Sequence, residues 1–392
     1  MTTTTIPADP TVRRARNAVG LSFALNGFLF ASLVSRIPDL RSRLDLGNGD
    51  LGLLLLAIAA GSVLALPSTG WLIGRWSPGA VLRAGALVDG TGLLLAACGA
   101  FWLESVPVAA VGLFVHGVGI GVWDVSMNVE AAEVERRLAR TVMPRFHAGF
   151  SLGTIGGAVL GIPMSGLGVA MPVHLGAVVV VAVVLAVRGA SAFLPPEAPS
   201  ARGEGRPRTA WSEPRTLALG VMVLAFAMVE GTANDWLALA LIDGHDVPRW
   251  LGVAGFATFV TAMTAGRLLG TSLLDRFGRS RVLWASAAAA GAGTLLTVLA
   301  EPLPLVALGI VVWGLGASLG FPVGMSAAAD DPARAAARVS VVSTIGYGAF
   351  LAGPPLLGQL ADVVGTLHSL LVVAVLMVPA AVAVLATRER AV

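Results

Sequence analysis

Asp124 and Asn128 stand four residues apart inside a long apolar run, and Glu230 and Asn234 repeat that spacing inside another. A four-residue step puts both members of each pair on one face of a helix. An ionisable side chain at the centre of a membrane span costs about 2.5–3.5 kcal/mol, so each is a candidate for solute binding, proton loading or internal pairing. Glu230 lies about halfway along its run, where a proton or cation site is expected. Asp235 follows directly and has two readings: a coupling carboxylate, or an interface residue anchored by Trp236.

Other groups are placed near these acids. His116 precedes Asp124 by two helical turns. His147 opens the next apolar run, titrates in the physiological range, and is read either as a proton relay with Glu130 or Asp124 or as a helix-entry hydrogen bond. Arg267, two-thirds along its run, is suited to pair with an acid or hold a substrate anion. Arg36 reads as a solvated flank of the first run, with gating or anion recruitment as the alternative, and Asp89 as a local ion pair with Arg83 two turns earlier.

Several chemistries are excluded. The five histidines are scattered and Cys98 is alone, so neither a metal site nor a disulfide is expected. No catalytic set and no cofactor are expected. All 26 basic residues are Arg, so a lysine-bearing phosphate loop cannot form. The arginines sit in short clusters between apolar runs rather than on one face, which argues against nucleic acid. Asp330-Asp331-Pro332-Ala333-Arg334 faintly resembles an aspartate-rich diphosphate site. Arg334 stands where a third Asp would be needed, so a solvated turn is the simpler reading.

The elements that must carry these residues are transmembrane helices. Of 392 residues, 56% are hydrophobic and 12% charged; soluble domains carry about 25% charged residues. A span needs roughly 20 apolar residues, and the chain supplies twelve such runs: 17–36, 50–73, 80–102, 106–128, 146–166 and 172–194, then 216–241, 250–273, 282–300, 303–327, 339–360 and 366–386. With the N-terminus in the cytoplasm, 21 arginines fall in cytoplasmic tails and loops. Only Arg36, Arg41, Arg43 and Arg249 lie opposite. The positive-inside rule therefore predicts a multi-pass protein of the cytoplasmic membrane with both termini inside. Trp71, Trp76, Trp102, Trp211, Trp250 and Trp284 lie near span ends, as interface anchors do.

Residues 195–215 are rich in Pro, Gly, Arg and Glu and fall at the midpoint. The expected organisation is a six-helix bundle over 1–194, a linker over 195–215 and a second bundle over 216–392. The halves repeat: residues 151–166 align without gaps with 343–358, pairing Gly156 with Gly348, Gly161 with Gly353 and Pro163 with Pro355. Gly117 and Gly119 match Gly314 and Gly316. Asn26 occupies the place of Glu230, which makes Asn26 a candidate too. Asp124 and Asn128 match Phe321 and Met325, so that polar pair belongs to one half only.

Six plus six spans, a central loop and similar halves resemble the major facilitator superfamily. The likeness is carried by the loops after spans 2 and 8, where members place a G-x-x-x-D-R-x-G-R-type gating motif. The second copy reads Asp275-Arg276-Phe277-Gly278-Arg279. The first keeps Gly70 and Arg75 but has Gly74 where the Asp is expected. In the family that Asp bridges to Arg and to a helix end, so the resemblance implies that Asp275 holds the latch alone. S-R-I-P-D-L (35–40), R-F-H-A-G-F-S-L-G (145–153) and E-G-T-A-N-D-W (230–236) are similar to a bacterial branch distantly related to fucose permease. The implied activity is secondary transport of a small solute by alternating access, coupled to protons. Drug or metabolite efflux by proton antiport is the alternative, and a membrane-embedded enzyme a distant third.

Overall fold

The computed structural model describes residues 9–138, 142–195, 207–331 and 334–387. Of the expected linker, residues 196–206 lie outside the described ones. The described chain is helical, without a strand. In the first half, α1 spans Pro10–Val34, α2 Ile37–Arg43, α3 Asn48–Arg75, α4 Pro78–Phe101, α5 Val106–Leu138, α6 Met143–Gly166 and α7 Met171–Gly189. In the second, α8 spans Pro214–His245, α9 Arg249–Phe277, α10 Arg279–Leu299, α11 Leu303–Ala317, α12 Gly320–Ala328, α13 Ala335–Val364, α14 Thr366–Ser369 and α15 Leu371–Ala383. Twelve helical stretches among the described residues are long and apolar enough to cross a membrane, one for each expected span.

The breaks between helices have local causes. Ser77 caps α4 by accepting from the Ala80 amide at 3.2 Å, with Pro78 in the first turn. Gly278 separates α9 from α10 at φ 78°, a left-handed conformation that disfavours any residue with a Cβ. Large apolar side chains such as Leu64, Val180 and Val375 point outward from the helices. Outward Leu and Val with polar groups turned inward is the arrangement that hydrocarbon solvent requires.

The described chain divides by contacts into two compact units. One holds residues up to Arg36, Ala57–Leu160 and Gly168–Ser200; the other holds Ile37–Leu56, Gly161–Leu167 and everything from Ala201 onward. In the first unit, α5 packs closely on α3 and α4 because glycines leave room for backbone. A Cβ on Gly119 would sit 2.1 Å from the Asp89 amide nitrogen, and one on Gly117 would sit 2.1 Å from the Ile58 carbonyl. The second unit repeats this: Gly316 approaches the Ala290 amide and Gly314 the Phe259 carbonyl. The repeat is therefore a repeat of contacts, with the first glycine of each pair against the second span and the other against the third.

Candidate functional site

In the first unit, α5 presents Asp124 and Asn128 together. The Asn128 amide donates to the Asp124 carbonyl at 2.9 Å and to its carboxylate at 3.2 Å, so the spacing gives the shared face that was expected. Asn26, on α1, is 2% exposed, and its amide nitrogen has no hydrogen-bond partner among the described residues. One turn earlier, the Ser22 hydroxyl accepts from the Trp123 indole at 2.8 Å, which ties α1 to α5. His147 lies edge-on to Phe23, ring centres 5.1 Å apart. Glu130, considered as its partner, instead accepts from the Leu194 amide at 2.6 Å. The α5 helix runs ten residues past the expected end of its span at 128, and this extension carries Glu130 to the chain leaving α7.

Two expectations in this unit are corrected. Asp89 pairs with His116 of α5, not with Arg83, and both side chains are fully buried. The second carboxylate oxygen of Asp89 and Nε2 of His116 have no partner among the described residues. His116 therefore belongs to the contact between α4 and α5. Arg36 is not a solvated flank: it is buried, its Nε lies 3.0 Å from His174 Nδ1, and its guanidinium donates to the Val169 carbonyl at 2.9 Å. Burying this cation is tolerable because neighbouring groups accept from it.

In the second unit, Arg267 of α9 donates to Glu230 of α8 at 2.9 Å, and its Nε approaches the Ser318 carbonyl at 3.4 Å. Arg267 thus has an acid as its partner, as one of its two readings expected. Glu230 and Arg267 keep 22% and 29% of their side-chain surface exposed. Asn234 lies one turn from Glu230 and is buried. Asp235 lines a small cavity with residues of α13. Trp236 is completely buried, so it does not anchor Asp235 at a membrane interface. The six tryptophans near span ends are exposed, as expected.

The motif residues are spread out. The space around Gly70 is open: a Cβ added there would meet nothing within 4 Å, and Arg75 is exposed. Asp275 is exposed, and Arg276 stacks over Phe277 at 5.2 Å. Arg279 binds Asp330 at 2.6 Å, with Ser326 at 3.3 Å. The acid that the motif arginine grips is thus Asp330 rather than Asp275. Asp330 also accepts from Arg215 at 2.8 Å. Burial alone would raise the Asp330 pKa, but the hydrogen bonds from Arg279 and Arg215 outweigh it and hold the carboxyl below the usual range. Asp331 pairs with Arg338 at 3.5 Å. With both acids engaged by arginines, the diphosphate-site reading of this loop loses its free carboxylates.

A further polar cluster was not anticipated. Arg41 of α2 makes a two-pronged bond to Asp243 of α8, 2.5 Å on each side, and Thr366 donates to the same carboxylate at 2.8 Å. Asp362 of α13 accepts from the Asn48 and Gly49 amides at 3.0 and 2.9 Å, so an anion meets the N-terminus of α3. Arg249 bonds Asp39 at 3.1 Å and Ser42 at 2.8 Å. The only available sequence signal was that arginines at 41 and 249 and acids at 39, 243 and 362 all lie on the arginine-poor side.

Comparison with known proteins agrees with this architecture. An uncharacterised MFS-type transporter of Yersinia pestis is 32% identical over 349 residues, covering 87% of this chain and 88% of that protein. The nucleoside transporter NupG superposes with a TM-score of 0.76 at 14% identity, covering 97% of this chain and all of the other. The E. coli fucose:proton symporter FucP does so with a TM-score of 0.64 at 15% identity, covering 94% and 98%. The fold is that of a twelve-helix membrane transporter. Residues 249–392 match the model of the Major Facilitator Superfamily, and with the extended likeness to the Yersinia protein the chain belongs to that superfamily. It is a multi-pass membrane protein and a transporter rather than an enzyme.

Proposed function

We propose that this transporter moves a small neutral or weakly charged solute by alternating access, coupled to protons, with both termini in the cytoplasm. Two six-helix bundles, residues 1–194 and 216–392 joined by the 195–215 linker, are the moving parts of this reading. Solute and proton contacts are assigned to Asn26, Asp124, Asn128 and His147 in the first unit and to Glu230, Asn234, Asp235 and Arg267 in the second. Gly70, Arg75, Asp275, Arg276, Gly278 and Arg279 form the gating elements.

The observation that carries this is the Glu230–Arg267 pair. It sits within spans yet keeps part of its surface open. Charged groups within spans avoid lipid and turn to protein or water-filled space, so this surface suits a solute path. Arg267 is neutralised by Glu230, while the Asp124 carboxylate accepts from the Asn128 amide and has no cation paired to it among the described residues. That balance disfavours a polyanion. A proton on Glu230 would release Arg267 and so couple titration to the contacts of α8 with α9.

Nucleosides and fucose, the cargo named for two structural neighbours, are the first compounds for a thermal-shift screen of purified protein. A hit is then tested for flux into reconstituted vesicles. The proposal predicts flux that follows an imposed proton gradient and is lost in Glu230→Gln. Flux indifferent to both would sink it.

A further inference from the structure

The α13 helix carries two consecutive prolines, Pro354 and Pro355, in its interior. Proline has no N–H, so the carbonyls four residues earlier, on Phe350 and Leu351, lose their helical donors. Against this stretch lies α8. The two helices line a small, partly open cavity of about 10 Å³, with Gly231, Thr232 and Asp235 on one side and Phe350, Gly353 and Pro354 on the other. That is room for one water-sized species.

Thr232 is out of the ordinary for this protein. Thr69, Thr154, Thr264, Thr294 and Thr297 all return their hydroxyls to the carbonyl four residues back in their helices. Thr232 does not; it is 1% exposed and its hydroxyl oxygen has no partner among the described residues. A buried polar atom without a partner calls for an explanation such as an ion or water. Here the residue that carries the atom lines a cavity together with Asp235 and the proline-bearing stretch of α13.

Among the lining residues Asp235 and Thr232 carry side-chain oxygens, beside the α13 backbone and the apolar Met228, Ala349 and Leu357, and none is His or Cys. All-oxygen sets suit hard cations, and interrupted helices in other secondary transporters offer their free carbonyls to sodium. Charge selects the valence. Asp235 supplies one negative charge, and the arginine of the neighbouring span, Arg267, is already bound to Glu230. One monovalent cation makes the site neutral, whereas a divalent one leaves a buried surplus charge. The cavity also excludes a hydrated ion. We propose that Asp235, Thr232 and the freed Phe350 carbonyl form a site for a single dehydrated monovalent cation of sodium's size. This refines the proposed function at Asp235, which it gives to the cation in place of a proton or solute contact, and it does not rest on proton coupling at Glu230.

The test uses the purified full-length chain in detergent at mildly alkaline pH. Binding of radiolabelled sodium is measured directly, and thermal unfolding is compared in sodium chloride and in choline chloride of equal concentration. The proposal expects about one sodium per chain and an unfolding midpoint higher in sodium by about 2–4 °C. Asp235→Asn abolishes both effects. Thr232→Val, which keeps the side-chain shape and removes the oxygen, weakens sodium binding by about tenfold or more. Should Asp235→Asn not fold, Thr232→Val decides alone. Wild-type protein that binds no sodium, or binding unchanged in Thr232→Val, overturns the site. So does a midpoint that follows pH equally in both salts without sodium uptake, because Asp235 would then hold a proton and no metal ion.

Discussion

Arg267 reaches Glu230 across 2.9 Å from one transmembrane helix to the next, so the arginine inside span 8 is matched by the acid midway along span 7. The two are 37 residues apart in the chain, and each lies inside an apolar run. Neither charge is tolerable there without the other or water. The pair joins α8 to α9, which also meet where Gly252 approaches Ala238 and Ile242 and Gly255 approaches Leu241.

Removing either partner should therefore cost stability. Breaking a fully buried pair costs about 3–5 kcal/mol; with part of this pair exposed, about 1–3 kcal/mol is expected for Glu230→Gln or Arg267→Gln. The double change Glu230→Gln with Arg267→Gln should recover much of that loss, because no charge is stranded. Denaturant unfolding of all four proteins in detergent gives the coupling energy, and additive losses would show that the two groups are independent.

The Asp89–His116 contact is completely buried, so the penalty there is larger. His116→Ala leaves Asp89 without its partner and should destabilise the protein by about 3–5 kcal/mol. Replacing both by Leu should cost distinctly less than His116→Ala alone. The same unfolding assay checks the order of the variants.

Two glycines in the first unit should respond oppositely to alanine. Gly119→Ala drives a methyl group into the Asp89 backbone at 2.1 Å, where neither helix can yield cheaply, and should cost about 1–3 kcal/mol or more. Gly70→Ala meets nothing within 4 Å in a helix and should be neutral or stabilising by up to about 1 kcal/mol. Expression level and thermal midpoint of the two variants provide the comparison. A well-folded Gly70→Ala protein then allows the gating motif to be tested for transport without a folding defect.

The Asp330 node predicts an acid dependence. Its carboxyl titrates below the ordinary aspartate value of 3.8 in the folded protein, so the folded state favours the ionised form. The stability it contributes is complete above the unfolded-state pKa and is lost as pH falls through the lower folded value. The difference in thermal midpoint between wild type and Asp330→Asn should accordingly be greatest at neutral pH and shrink below about pH 4. A gap that is constant across this range would show that the carboxylate charge is not what Arg279 and Arg215 read.

The spans were legible because hydropathy and length alone define a helix in lipid, and the repeat was legible because glycine spacing survives where side chains do not. The face shared by Asp124 and Asn128 followed from helical geometry. What the chain does not announce is which helix stands beside which residue. Arg83 lies near Asp89 along the sequence, but His116 lies near it in space. Arg36 has the position of a solvated flank, and only the packing of His174 and Val169 against it reveals a buried cation. Asp330 was read as part of a solvated turn because nothing in its loop shows that Arg279 and Arg215, from distant segments, converge on it. Thr232 passed unnoticed because a threonine in a helix ordinarily satisfies itself.

The stretch Ile37–Leu56 is read early from the chain yet is bonded to residues that follow two hundred positions or more later. A truncated polypeptide starting at residue 216 would present Asp243 without its guanidinium and Asp362 without the two amides that receive it. Fragment complementation in this protein would then depend on residues 37–56 being supplied in trans, a length within reach of peptide synthesis.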